Sequence, residues 1–279
     1  MGRIGHSWAL AKMSWGVLRS DKTLGAIPAI SAAVSLLALA VLGGLFLAVG
    51  LGSGDDSAVE PAGWVIAVVA YVVFAFITVY FQSALVAGAN TSLSGNHATL
   101  GESMKAATAK LHRILPWAIV TATVSFIISQ LERQGWLGVI IGNLLGMAWN
   151  VLTFLTIPII VLEDVGPVVA LKRSGQLFKQ TWGENLVAQF GFGLIGLIAA
   201  LPAIILAGLG LASGNGLVIG VTVGIAVVWI AIVSVVISAL SGIYRTALYR
   251  YAVDGQAPRA FAGTDLSTAF QQKHRGRLN

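Results

Sequence analysis

Six runs of apolar residues, each near or above the length that crosses lipid, govern what this chain can become. They lie at about 25–50, 63–90, 115–131, 137–162, 186–211 and 216–244, against the roughly 20 residues that span about 30 Å of hydrocarbon. Lipid offers no water to backbone N–H and C=O groups, so each run is predicted to be a helix. With 57% of residues hydrophobic and only 10% charged, the remainder could not coat a soluble domain. The first run begins near Leu24, exceeds a signal-peptide core and lacks a small-residue cleavage site, so it is expected to stay as a span.

The charges orient the spans. The loop at 52–63 holds Asp55, Asp56 and Glu60 and no Lys or Arg, whereas segments 1–23, 91–114, 163–185 and 245–279 carry 4, 3, 3 and 6 basic residues. Only Arg133, in a short hairpin beside Glu132, falls elsewhere. The excess of Lys and Arg predicts that both termini and the two long internal loops face the cytoplasm. The sixth run continues through Tyr244, Arg245, Tyr249, Arg250 and Tyr251, which predicts a helix projecting past the bilayer with its aromatics among the headgroups. Pro158 and Pro202 fall inside spans and are predicted to kink them.

The cytoplasmic segments repeat. Ile4, Trp8, Ala11, Trp15 and Leu18 form one helical stripe, and Leu100, Met104, Ala107, Leu111 and Ile114 form another with the same spacing. In the third segment Ser174, Leu177, Lys179, Trp182 and Gly183 stand at the spacing of Ser7, Leu10, Lys12, Trp15 and Gly16. The expected architecture is one all-α membrane domain over residues 1–279, built of three units near 1–95, 96–166 and 167–255 and a basic cytoplasmic tail at 256–279. Each unit would be an amphipathic interfacial helix followed by a transmembrane hairpin, giving six spans. Trp8, Lys12, Trp15, Lys179 and Trp182 are the expected interfacial anchors. Gly138, Gly142 and Gly146, with Gly216, Gly220 and Gly224, are candidate helix-packing seams, within the chain or between copies of it.

Catalytic chemistry is not evident. There is no cysteine, and His6, His97, His112 and His274 are scattered, so neither a metal nor another cofactor is expected. Gly191, Gly193 and Gly196 fit a dinucleotide-binding string, but it lies in an apolar run with no acidic residue about 20 positions on. Glu163 and Asp164 precede Lys172 and Arg173 and read as a structural ion pair at a helix boundary. No ionisable residue lies well inside a predicted span, where a proton-coupled carrier generally needs one. Polar amides do occur at depth: Gln82, Asn90, Asn143, Asn150 and Gln189 are expected to hydrogen-bond between helices, or else Asn143, Asn150 and Gln189 line a polar pathway.

The opening Gly2, Arg3, Ile4, Ser7, Trp8, Leu10, Lys12, Ser14, Trp15, Val17, Leu18, Arg19, Asp21 and Lys22, followed by an apolar span, resembles a family of uncharacterised prokaryotic multi-pass membrane proteins classed as a domain of unknown function. More distantly, Pro158 to Glu163 with Gly166, Pro167, Ala170 to Ser174, Leu177, Lys179 and Trp182 is similar to the membrane-anchoring region of some bacterial glycerophosphodiester phosphodiesterases. The catalytic barrel of those enzymes has no counterpart in these residues, so the resemblance implies a membrane fold and no activity.

The first expectation is a non-enzymatic membrane protein that organises a bilayer patch or partners, possibly as a homo-oligomer. Its net charge of +6 suits anionic lipid headgroups on the cytoplasmic face, and being spread over four segments it does not suit nucleic acid. The rival is a transporter or channel for an uncharged or amphiphilic, lipid-like solute. A cavity reaching the buried amides separates the two.

Overall fold

The computed structural model describes residues 3–52, 56–182 and 191–261, with side-chain surroundings described for 11–50, 62–181 and 196–261. Among the described residues the chain is helical, without strands. The helices are α1 (Arg3–Ser20), α2 (Thr23–Gly52), α3 (Asp56–Leu93), α4 (Leu100–Ala109), α5 (Leu111–Glu132), α6 (Trp136–Thr153), α7 (Thr156–Glu163), α8 (Pro167–Trp182), α9 (Gly191–Ala212) and α10 (Gly216–Asp254), and a short 3-10 turn follows at Arg259–Phe261.

Five stretches are long and apolar enough to cross a membrane: Thr23–Gly50, Ala62–Leu93, Leu111–Glu132, Trp136–Glu163 and Gly216–Asp254. The remaining predicted run starts among residues outside the described set, and its described part, Gly196–Ala212, is apolar but shorter. The most extensive pairings are α9 with α10 and α2 with α3, followed equally by α3 with α5 and α5 with α6. Around them α1 packs on α10, α4 on α3, and α8 on α6 and α7.

The packed core lies at one end of this bundle. Leu24 and Ile27 of α2, Leu85 and Ala89 of α3, Ile114 and Trp117 of α5, Ile159 of α7, Phe178 of α8, and Ile243 and Leu248 of α10 are buried together. Toward the other end the large side chains turn outward, as at Leu36, Leu47, Trp64, Ile140, Leu209 and Leu217. Apolar side chains gain nothing by leaving lipid tails for each other, so only the headgroup-side end needs a core of the soluble kind. Tyr244 and Tyr249 belong to that core. The expectation of headgroup-facing aromatics is thereby corrected, because α1, α3, α7 and α8 surround the end of α10.

Two helix boundaries differ from the sequence reading. The fourth apolar run breaks at Phe154–Leu155 into α6 and α7. Pro158 accounts for the place, since a proline ring collides with the carbonyl four residues back and offers it no hydrogen. The amphipathic stripe from Leu100 to Ile114 is likewise divided at Lys110, between α4 and α5. Thr99 starts α4 by accepting from the Glu102 N–H at 3.2 Å while its hydroxyl reaches the Glu102 carboxylate at 2.7 Å, and Gly255 ends α10 in the left-handed region at φ 69°. Pro202 leaves its partner carbonyl unpaired within α9, and the next one, Ala199, accepts from the Trp229 indole at 2.8 Å.

The glycines separate into two kinds. A Cβ at Gly138 would strike the Leu131 carbonyl and one at Gly142 the Glu132 side chain, so these two form the α5–α6 seam; Gly146 is at its edge, 4.0 Å from Ile128. Gly216, Gly220 and Gly224 have no atom within 4 Å of such a Cβ. The α9–α10 contact instead uses Gly210 against Thr222 and Gly196 against Ile237, which is the packing role expected of the glycine string in α9.

Polar links tie the core end together. Asp21, 6% exposed between α1 and α2, accepts from the Ser92 hydroxyl at 2.6 Å, the Ala98 N–H at 2.7 Å and the Thr23 N–H at 3.2 Å. Burial disfavours its charge, but the bonds from Ser92, Ala98 and Thr23 outweigh that and hold its carboxyl below the ordinary value.

Two outcomes follow. Gly242 packs on Leu85, whose Cγ would sit 2.8 Å from an added Cβ, so Gly242→Val is expected to cost about 1–3 kcal/mol while Gly220→Val costs nothing measurable, read as thermal melts in detergent. Because folding depresses the Asp21 pKa, its contribution is present above the unfolded value of about 3.9 and is lost as pH falls through the folded one. Asp21→Asn should therefore lower the melting temperature at pH 7, with the gap to wild type closing on acidification below that range.

Candidate functional site: a cleft floored by an arginine

Helices α3, α5 and α6 enclose an open cleft of about 650 Å³ that reaches Ile157 of α7 and Arg245 of α10. It follows one face of α3 through Ala67, Tyr71, Phe74, Thr78 and Gln82, spaced three or four residues apart. Ala67, Ala70 and Phe74 make one end apolar. Most polar side chains gather toward the other, Thr78 and Gln82 of α3, Thr121 of α5, and Asn150 and Thr153 of α6, while Ser125 of α5 and the Tyr71 phenol add hydroxyls to the lining.

The floor combines a stack between helices with threonines tied to their own helices. Trp117 of α5, 1% exposed, stacks on Trp149 of α6 with centroids 5.9 Å apart. The hydroxyls of Thr78, Thr121 and Thr153 donate to the carbonyls of Phe74, Ala118 and Trp149 at 2.8, 2.9 and 2.8 Å. Those hydroxyls keep acceptor capacity but have no hydrogen left for a ligand. Gln82 and Asn150 make no side-chain hydrogen bond among the described residues.

Arg245 completes the floor. Helical side chains lean toward the N-terminus of their helix, which for α10 is toward the apolar end of the bundle. The Arg245 guanidinium carbon lies 5.1 Å from the centre of the Phe154 ring, a cation–π contact worth about 2 kcal/mol when desolvated. Phe154 is available because the helix ends beside it. The orphaned Leu155 N–H donates to the hydroxyl of Ser174, a fully buried residue of α8, at 3.2 Å. Among the described residues no carboxylate lies within 4.0 Å of Arg245, whereas Lys110, Arg113, Arg173 and Arg250 all have acidic partners. A smaller cavity of about 190 Å³ meets the cleft at Gln82, Ile157 and Arg245 and adds Ser238 and Ser241.

The structure thus corrects the expectation that no charge enters the bundle interior. Arg245 follows a run of apolar residues and was placed among the headgroups; only the packing of α3, α7 and α8 around α10 turns its head inward. A signal existed in the 3–4–spaced polar stripe of Ser238, Ser241 and Arg245. Of the expected pathway residues, Asn150 lines the cleft, Asn143 lies on an exposed face of α6, and Gln189 falls outside the described residues. No amide pair bridges two helices among the described residues; Asn90 contributes its carbonyl to Arg250 at 3.5 Å.

The remaining sites are structural. Glu163 pairs with Arg173 at 3.1 Å and accepts from the Tyr249 hydroxyl at 3.0 Å. Asp164, left-handed at φ 55°, pairs with Lys110 at 2.8 Å, and the hydrogen bond from Lys110 lowers its pKa, aided by the charges of Lys110 and Arg113. No three of His, Asp and Glu gather into a metal-binding group among the described residues. Lys12 and Lys179 are exposed, and Trp15, expected on the buried stripe, is 46% exposed while Ala11, Ser14 and Leu18 turn inward. The side chains of Trp8 and Trp182 lie outside the described set, as do those of Asp55, Asp56 and Glu60.

These features define an all-helical membrane protein with several spanning helices and a polar-floored cleft. Residues 61–259 match the family described as "Family of unknown function (DUF6159)", and the chain belongs to that family. The match begins at Pro61, so the opening segment that carried the resemblance is outside it. No curated protein and no solved structure matches the chain, and nothing found carries the likeness to phosphodiesterase anchors.

Ser174→Ala removes the acceptor for the Leu155 N–H without adding another. A buried donor left unpaired should cost about 1–3 kcal/mol, seen as a lowered melting temperature in detergent, with Ser174→Thr retaining more of the stability than Ala.

Proposed function

We propose that this protein is a non-enzymatic carrier or binder of an amphiphilic, lipid-like molecule, seated in the cleft between α3, α5 and α6. The observation that carries the reading is the cleft itself: apolar along α3 at one end, polar at Gln82, Asn150 and Arg245 at the other. Its volume of about 650 Å³ lies within the range of roughly 300–1,000 Å³ usual for small-molecule sites. Of the two roles expected from the sequence, the cleft favours the rival over a purely organising one.

The same proposal includes a six-span arrangement in a prokaryotic cytoplasmic membrane, with both termini inside. Supporting it, α9 is 22 residues long and pairs along α10 as α2 does along α3. Three units are further supported by the packing of α1, α4 and α8, each against the second spanning element of the preceding unit, taken cyclically. Ser103 and Ser174, aligned in the sequence repeat, are both buried. An assembly of copies is a second reading, favoured by the outward-facing Gly220 and Gly224, which line an apolar groove on α10. Anionic lipid remains the expected partner of the basic face.

Thr121→Trp would fill the cleft from α5. Native mass spectrometry of the full chain in detergent should find a lipid-sized adduct retained by wild type and by Ile225→Trp, on the exposed face of α10, and absent from Thr121→Trp. Retention of the adduct by Thr121→Trp would put the amphiphile elsewhere and remove this reading.

A further inference from the structure

We infer that the cleft selects an anionic amphiphile, with its oxyanion head held by Arg245, Gln82 and Asn150 and its apolar part along Ala67, Tyr71 and Phe74; this rests on reading the cleft as an amphiphile site.

Charge balance points to the head. Arg245 is half-buried at the floor of the cleft, and a guanidinium drawn that far from water gains from a counter-charge or a set of acceptors. The Phe154 ring supplies part of that gain but brings no negative charge. Among the described residues every other interior carboxylate is already engaged: Glu163 by Arg173 and Tyr249, Asp21 by Ser92 and Ala98. The counter-ion for Arg245 is then a guest of the cleft.

Donor chemistry narrows the choice. With the three threonine hydroxyls committed to backbone carbonyls, the donors left in the cleft are the N–H groups of Arg245, Gln82 and Asn150 and the hydroxyls of Ser125 and Tyr71, of which only Arg245 carries charge. Guanidinium and amide donors suit phosphate or carboxylate oxygens, and the planar fork of arginine engages two of them at once. Ser238 and Ser241, across the smaller cavity, make no side-chain hydrogen bond among the described residues and extend the polar end. A choline-type head would bring a second cation to an unneutralised one.

Shape narrows it again. A free anion would occupy the floor and leave the apolar end, from Ala67 to Phe74, unfilled. An acyl chain attached to the anion fills both. Arg245 sits toward the end of the bundle that carries the packed core, so an anionic lipid of the adjoining leaflet would enter with its head at its ordinary depth and its tail along α3.

The full chain, stripped of lipid in detergent, is titrated with phosphatidylglycerol, phosphatidylcholine or inorganic phosphate, and binding is followed by native mass spectrometry and melting temperature. Wild type should bind phosphatidylglycerol at least about tenfold more tightly than phosphatidylcholine, and Arg245→Gln should bring the two within about twofold. Arg245→Lys should keep part of the preference, and Lys22→Gln, an exposed cation outside the cleft, all of it. If Arg245→Gln does not fold, Gln82→Ala and Asn150→Ala carry the test, with phosphatidylglycerol binding weakened about threefold or more and phosphatidylcholine unchanged. An Arg245→Gln protein that keeps the preference, or alanine variants that weaken both lipids alike, would overturn the inference. A phosphate-induced stabilisation equal to that from phosphatidylglycerol would assign the floor to a soluble oxyanion and overturn the amphiphile. Equal binding of both lipids, lost in Thr121→Trp, would sink the anionic preference and spare the amphiphile site. Lipid binding unaffected by Thr121→Trp would remove the site itself.

Discussion

A backbone N–H freed inside a membrane protein must find an acceptor within the protein, and much here depends on how one such group is satisfied. Pro158 breaks the fourth apolar run at Phe154 and Leu155, and Ser174 of α8 accepts the freed Leu155 N–H. That bond joins α8 to the break and lets α7 stand as a separate short helix among α3, α8 and α10. It also fixes Phe154 where its ring lies under Arg245. A straight, unbroken helix would bury neither contact, and the floor of the cleft would lack its cation.

The packing divides the molecule by solvent. Where lipid surrounds the helices, large apolar side chains point outward and neighbours approach through small residues, as at Gly138, Gly142, Gly196 and Gly210. At the other end water and headgroups restore the drive to bury apolar surface, and a core forms around Trp117, Ile159, Ile243 and Phe261. Two carboxylates there, Asp21 buried and Glu163 half-buried, serve as ties. Asp21 joins the α1–α2 corner to the end of α3 and the loop that follows it, while Glu163 joins α7 to α8 and α10. The cleft begins where this tied body meets the looser bundle, so a rigid floor supports a wall of spanning helices.

Glycine spacing read from the chain was informative at one seam and silent at another. Gly138 and Gly142 meet α5 because the tight turn at Gly135 sets the two helices side by side. Gly216, Gly220 and Gly224 have the same spacing, yet α9 approaches α10 through Thr222 and Ile237 instead. A glycine stripe marks a face where a helix can come close. Which partner takes it depends on the rotation of both helices, and one stripe carries no information about the other helix.

The sequence by itself determined the membrane class and marked Pro158 as a point of distortion in the fourth run, because these follow from chain length against bilayer thickness and from the missing proline hydrogen; that the helix breaks there, while α9 continues through Pro202, was decided by the packing around it. It also marked Glu163 and Asp164 as an ion-paired boundary, a matter of charges close along the chain. The inward turn of Arg245, the meeting of Gln82 with Asn150, and the exposure of Asn143 and Trp15 were decided by tertiary structure. Each depends on which helices surround a given face, and residues such as 82, 150 and 245 are too far apart along the chain for local periodicity to relate them.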